Sequence, residues 1–224
     1  MFNELLFFIQ VTIISISTIF FARLGKEALI AYISLMFVIS NIFVIKQIMI
    51  FSFYATSVDA FIVGINFGIN LLQEIWGKAI ARKTIWISFA CSLFYMIVAK
   101  AILFYEPISQ DLSQPHFEYI LSNILRLVIA SFISYLITQL TDNYVYAYLK
   151  EKTDGKYFVI RNYFSICFSQ FIDTVLFSFI GLYGIVTNLG QIIFVSYVIK
   201  LVTLVFVTPW LIYAKKFINI EKNI

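Results

Sequence analysis

The segment YFSICFSQFIDTVLFSFIGLYG, residues 163–184, decides the fold. It is long and apolar enough to cross a hydrocarbon layer as a helix, which takes about 20 residues. Yet it carries Gln170, Asp173 and Thr174 at its middle. A carboxylate at the centre of a bilayer costs about 2.5–3.5 kcal/mol on the insertion scale, so something must offset it. Ser165, Ser169, Gln170 and Asp173 recur at steps of three and four and share one helical face. That face must look inward, at protein partners or a wet cavity.

The rest of the chain supplies the same setting. Of 224 residues, 62% are hydrophobic, 25 are Phe and only 12% are charged. No water-soluble domain of this length carries so much apolar material, so the chain reads as an all-α polytopic membrane protein, a single bundle without a soluble domain. Seven stretches have the length and character of spans, at about 5–22, 28–52, 56–76, 84–105, 120–148, 158–185 and 190–213. The third holds Asp59, Asn66, Asn70 and Glu74 and is loosened by Gly64 and Gly68, so a broken or re-entrant segment is an alternative there. The cysteines, Cys91 and Cys167, read as small core residues rather than a disulfide. No cleavable signal peptide is expected, because the first apolar run is too long and lacks a basic start.

Charge supports the count. The connections RLGKE, GKAIARK and KEKTDGKYFVIR, with the tail KKFINIEKN, hold twelve of the sixteen Lys and Arg and follow spans one, three, five and seven. The alternate connections hold none. The positive-inside rule then places the N-terminus outside and the C-terminus in the cytoplasm, in a multi-pass protein of a cytoplasmic membrane. The basic connections contact anionic lipid head groups, and the small net positive charge carries no argument for nucleic acid.

Four cations remain inside spans: Lys46, Lys100, Arg126 and Lys200. Lys100 and Arg126 lie near outer ends, where snorkelling is cheap, whereas Lys200 is near the middle of its span. Among the acids, Asp59, Glu74 and Asp142 lie near span ends, where facing water costs little. Asp173 is central, and is read as ligand-facing rather than only paired with Lys200. The fifth span carries a second stripe of Ser131, Ser134, Thr138, Thr141 and Asp142, with Gln139 at its edge. Two facing stripes suggest a central cavity lined by amide, hydroxyl and carboxylate groups, the hydroxyls serving mainly as interhelical glue. Aromatic rings are plentiful enough to sandwich a flat heterocycle.

Five short motifs now fall into order: SNIFVIKQI (40–48), NLLQEIWGKAIAR (70–82), RLVIASFISYLITQLTD (126–142), RNYFSICFSQFIDTVLF (161–177) and YVIKLVTLVFVTPWLIY (197–213). Together they resemble the VUT family of bacterial queuosine precursor transporters, formerly called vitamin uptake transporters. The resemblance begins near residue 36, so the first span looks like an addition to a six-helix family core. It implies import of a 7-deazaguanine such as preQ0, preQ1 or queuine. The family-like positions are Asn41, Lys46, Glu74, Gly77, Lys78, Ala81, Arg82, Arg126, Gln139, Asp142, Arg161, Asn162, Gln170, Asp173, Thr174, Tyr197, Lys200, Thr208 and Pro209. Asn70 departs from the family, which commonly has an acid there.

The candidate substrate-binding set is therefore Asp173, Gln170, Thr174, Asn41, Lys46, Asn70, Glu74, Arg126, Gln139 and Lys200. The chemistry fits independently. A deazaguanine presents a ring N–H and an exocyclic NH₂ side by side, with a carbonyl adjacent. A carboxylate accepts both N–H groups, and an amide or ammonium satisfies the carbonyl. The expected partners are a small planar nucleobase-like substrate and membrane lipids, with no nucleic acid; a homodimer is compatible with the sequence. No cofactor, metal site or catalytic set is expected: the sole histidine, His116, sits in an outer loop, and neither HExxH nor a P-loop motif occurs. The alternative is a substrate-binding membrane subunit that borrows a separate ATP-driven module; a membrane enzyme or a channel fits less well, the polar groups being too scattered for a selectivity filter.

Overall fold

Hydrocarbon leaves a backbone few choices, because each N–H and C=O must find its partner within the protein. The computed structural model describes residues 2–154 and 158–202, and its spans are helical. Helices α1 (Phe2–Leu24) and α2 (Lys26–Phe43) are joined by Gly25 alone. A two-stranded antiparallel hairpin follows, β1 (Gln47–Ile50) and β2 (Phe53–Thr56). Then come α3 (Asp59–Trp76) and α4 (Lys78–Leu103), joined by Gly77. Both corner glycines have positive φ, +119° and +93°, a region that side-chain-bearing residues enter at a cost. The order closes with α5 (Gln114–Leu121), α6 (Ile124–Lys152), α7 (Phe158–Phe177), a π-helical turn at Ser178–Leu182, and α8 (Leu189–Val202).

The chain is an all-α polytopic membrane protein. Among the described residues five helical segments, Phe2–Leu24, Lys26–Phe43, Lys78–Leu103, Gln114–Leu149 and Phe164–Leu182, are long and apolar enough to cross a bilayer. Helix α3 carries five polar residues, Asp59, Asn66, Asn70, Gln73 and Glu74, and the described part of α8 is shorter. The side chains of Gln139, Arg161 and Asn162, the family-like Thr208 and Pro209, and the last expected span beyond 202 lie outside the described residues.

The stretch 28–52 is not one span: α2 stops at Phe43 and the chain turns into the hairpin. The segment IKQIMIFSFYAT is rich in β-branched and aromatic residues, which suits strands. Its two-residue turn places both Phe51 (φ 49°) and Ser52 (φ 65°) in the left-handed region, the geometry of a type I′ hairpin. Polar side chains from distant elements hold it. The Asn3 amide donates to the Met49 carbonyl at 3.0 Å, and the Phe51 N–H donates to Glu4 Oε1 at 2.9 Å. The Tyr54 N–H donates to Gln191 Oε1 at 3.1 Å. Gln47 Oε1 accepts from both the N–H and the hydroxyl of Thr187, at 2.8 and 2.6 Å.

Nor is α3 broken. It runs unbroken from Asp59 to Trp76, and its glycines permit close approach. A Cβ at Gly64 would overlap Ile14 Cγ2 of α1, and one at Gly68 would lie 2.8 Å from Ile33 Cγ1 of α2. This is the small-xxx-small logic of membrane helix packing. Helix α1 is thereby built into the bundle: Ile14, Leu29, Ile33, Met36, Leu71 and Leu72 share one apolar core. Cys91 is exposed and Cys167 half-buried, both as free thiols, so Cys91 is a surface residue of α4 and not a core residue.

The bundle has two chemically distinct ends. One gathers the hairpin, the N-terminal turn of α1 and the α7–α8 connection through the hydrogen bonds above. The other holds the glycine corners with Arg23, Lys26, Lys78, Arg82 and Lys83. A second seam runs between α2 and α4. There the Ser34 and Ser88 hydroxyls are hydrogen-bonded at 3.1 Å, and the Asn41 amide donates to the Phe37 carbonyl and to Ser92 Oγ.

Candidate functional site

The polar stripes of α6 and α7 do face each other, and they bond directly. Near the basic end, Ser165 Oγ donates to Asp142 Oδ1 at 2.6 Å and to the Asp142 carbonyl at 2.9 Å, with Ser169 Oγ 3.5 Å from the same carboxylate. Higher up, Thr138 Oγ1 donates to Asp173 Oδ1 at 3.3 Å. The hydroxyls thus act as the interhelical glue expected of them.

Helix α8 completes the upper group. Lys200 Nζ lies 2.6 Å from Asp173 Oδ2 and donates to Thr174 Oγ1 at 3.0 Å; that hydroxyl donates to the Gln170 carbonyl at 2.8 Å. The Lys200 side chain is 8% exposed and that of Asp173 is 27% exposed, so the ammonium is sealed while the carboxylate keeps an accessible edge. A charge pair removed from water must offset several kcal/mol of desolvation per ion, which near-contact geometry and further donors help to do. Here one hydroxyl donates to Asp173 and another accepts from Lys200. Each carboxylate oxygen has two acceptor sites and the ammonium has three donors, so the group retains capacity for a ligand.

Asp59 sits at the hairpin end of this region and was missed by sequence reasoning. Its place near a span end implied cheap contact with water, but it is 1% exposed. Ser196 Oγ, one turn before Lys200 on α8, donates to Asp59 Oδ1 at 2.8 Å. The start of α3 follows directly on the hairpin, a placement that reading 28–52 as one helix hides. Ser134, one turn from Thr138 on α6, is also buried, with no partner for its hydroxyl among the described residues.

The other members of the candidate set are dispersed. Gln170 is half-buried on α7, one turn from Asp173 and Thr174. Asn41 belongs to the α2–α4 seam, and Lys46 to the turn entering β1. Asn70 is half-buried and Glu74 exposed, both toward the basic end of α3. Arg126 is exposed and commits its guanidinium to the carbonyls of Ile180 and Tyr183, at 2.6 and 2.7 Å, capping the π-turn where α7 ends. The structure therefore brings together Asp173, Thr174 and Lys200, with Gln170 beside them, and leaves Asn41, Lys46, Asn70, Glu74 and Arg126 elsewhere. A groove of about 1010 Å³ lies apart from this group, between α2 and α4; its lining is almost wholly apolar, with Lys26, Ser34 and Lys83 among the exceptions.

A bundle of apolar helices with an ion pair and hydroxyls held in its interior defines a polytopic membrane protein with a polar site inside the bundle. The chain belongs to the family described as "Putative vitamin uptake transporter", whose model matches residues 60–214. It is similar to a protein of Bacillus subtilis (strain 168) named "Probable queuosine precursor transporter", 30% identical over 225 residues, which cover 99% of this chain and 98% of that one. That similarity extends over α1 and α2 as well as the family core. No solved structure matches the chain.

Proposed function

We propose that this chain imports queuosine precursors, 7-deazaguanines such as preQ0, preQ1 or queuine, across a bacterial cytoplasmic membrane. The observation that carries the reading is the Asp173–Lys200–Thr174 group, whose carboxylate keeps an accessible edge in an otherwise apolar bundle. The relative's name supports the substrate class.

In this reading the ring N–H and exocyclic NH₂ of the base donate to the open acceptor sites of Asp173. The spare N–H of Lys200, or the Gln170 amide beside it, donates to the base carbonyl. Thr138 and Thr174 hold the two charged groups in register. A base lacking this donor–donor–acceptor edge would leave buried polar groups unpaired, which discriminates strongly against it. The chain acts as a carrier rather than an enzyme, with the hairpin end outside and the basic end in the cytoplasm.

The test is uptake in a bacterium that neither makes nor imports deazaguanines and expresses this chain alone. Each base is supplied separately and queuosine is assayed in tRNA. Queuosine appearing with at least one base is the expected result. Its absence with every base, with the chain shown in the membrane, would overturn the function.

A further inference from the structure

Asp59 poses a problem that substrate reading leaves unsolved. It is 1% exposed, at the first residue of α3, and its Oδ1 accepts one hydroxyl, that of Ser196. Thr56 lies close by, yet Oδ2 has no hydrogen-bond partner among the described residues. The nearby cation, Lys200, is already held by Asp173 at 2.6 Å and by Thr174 at 3.0 Å. A carboxylate sealed from water, with only neutral donors from Ser196 and Thr56 about it and one oxygen left unpartnered, is costly as an anion and far less costly with a proton on that oxygen.

The other charged and titratable groups at this end of the bundle are engaged or set apart. Glu4 of α1 accepts from the Phe51 N–H, Lys100 of α4 donates to the Ser122 carbonyl, and Arg126 of α6 caps the π-turn. Helix α2 has no basic residue in its last turn. Lys46 and Tyr54 flank the hairpin, and Asp173 of α7 faces Lys200.

We propose that Asp59 carries a proton, on Oδ2, that enters together with the substrate, making import proton-coupled. The inference rests on the substrate reading above. Ser196 and Lys200 lie one turn apart on one face of α8, so α8 links Asp59 to the Asp173 group. With Asp59 neutral, Lys200 stays on Asp173 and Thr174, where its contacts lie in the structure, and the proposed substrate-reading group is assembled. With Asp59 ionised, its charge competes for the Lys200 ammonium and draws it along α8, away from Asp173. Proton and base thus favour each other's binding, and linkage makes that favour reciprocal. The proton binds Oδ2 from the outside, rides with the base and leaves Oδ2 to the cytoplasm; Lys200 keeps all its protons throughout.

The test uses the purified full chain in liposomes, a labelled deazaguanine and a potassium–valinomycin clamp at zero membrane potential. With the outside more acidic, wild type should accumulate the base about tenfold per pH unit for one proton per molecule. A pH dye inside should report acidification that depends on the base. Asp59→Asn should keep exchange of labelled for unlabelled base while losing both accumulation and acidification. Ser196→Ala keeps the carboxyl and serves if Asp59→Asn fails to fold. Losing that donor disfavours the ionised form, so the pH of half-maximal uptake should move upward by about one unit. Wild-type uptake that stops at equilibrium despite the gradient, Asp59→Asn that accumulates like wild type, or an unmoved pH profile in Ser196→Ala each overturns the proposal. A wild type that exchanges base without following the gradient fails here alone, whereas one that neither binds nor exchanges any deazaguanine takes the substrate reading down as well.

Discussion

At the scale of the residue, the ion pair between Asp173 and Lys200 sets the terms. Both charges were legible in the sequence because each interrupts an apolar run near its middle, where snorkelling is difficult. Their partnership was weighed there only against a ligand-facing role, since spacing along one helix says nothing about which residue of another helix it meets. The structure supplies that second half: the pair exists, and the carboxylate still keeps an open edge. Asp59 went the other way. It is buried just after a hairpin that apolar content alone disguises as helix. The Lys200 side chain is 8% exposed, and removing it strands a mostly buried carboxylate. Lys200→Met should therefore destabilise the protein by about 3–5 kcal/mol, and adding Asp173→Asn should recover most of that loss. Thermal unfolding of the purified variants in detergent measures both steps.

At the scale of the element, α3 depends on having no side chain at two positions. Gly64 and Gly68 are four apart on one face, and in the sequence alone they read as a weakness of the helix. Helical glycine is a weakness where it is solvated, and an advantage where another helix occupies the space of the missing Cβ. Ile14 fills that space at Gly64. Gly64→Ala should cost about 1–3 kcal/mol through overpacking, and Ile14→Ala in the same chain should return part of it by making room. An unfolding series of the two single variants and the double variant reads the coupling. The hairpin was illegible for a related reason: its strands are as apolar as a span, and its turn uses Phe51 and Ser52 in place of the Asn-Gly that usually announces a type I′ turn.

At the scale of the whole molecule, the membrane class followed from composition, because apolar content of this order requires a bilayer. The alternation of connections with and without Lys and Arg follows from charge, and among the described residues the two glycine corners with their basic side chains lie at the end away from the hairpin. With both native cysteines replaced, a cysteine at Ser109 should react with a membrane-impermeant maleimide in intact cells, and one at Lys152 should react only after the membrane is opened. The fate of the polar stripes was less legible: periodicity placed them face to face, but only coordinates reveal that Asp142 is consumed by Ser165 and Ser169 while Asp173 is held by a lysine from a third helix.

The central claim, that Asp173 reads a planar nitrogen-rich base, is tested most directly by equilibrium binding of a 7-deazaguanine to the purified chain, wild type against Asp173→Asn. Loss of a charge-assisted fork should weaken binding at least tenfold while the variant remains folded, as judged by its melting curve. A folded Asp173→Asn chain that binds the base as tightly as wild type would contradict the account.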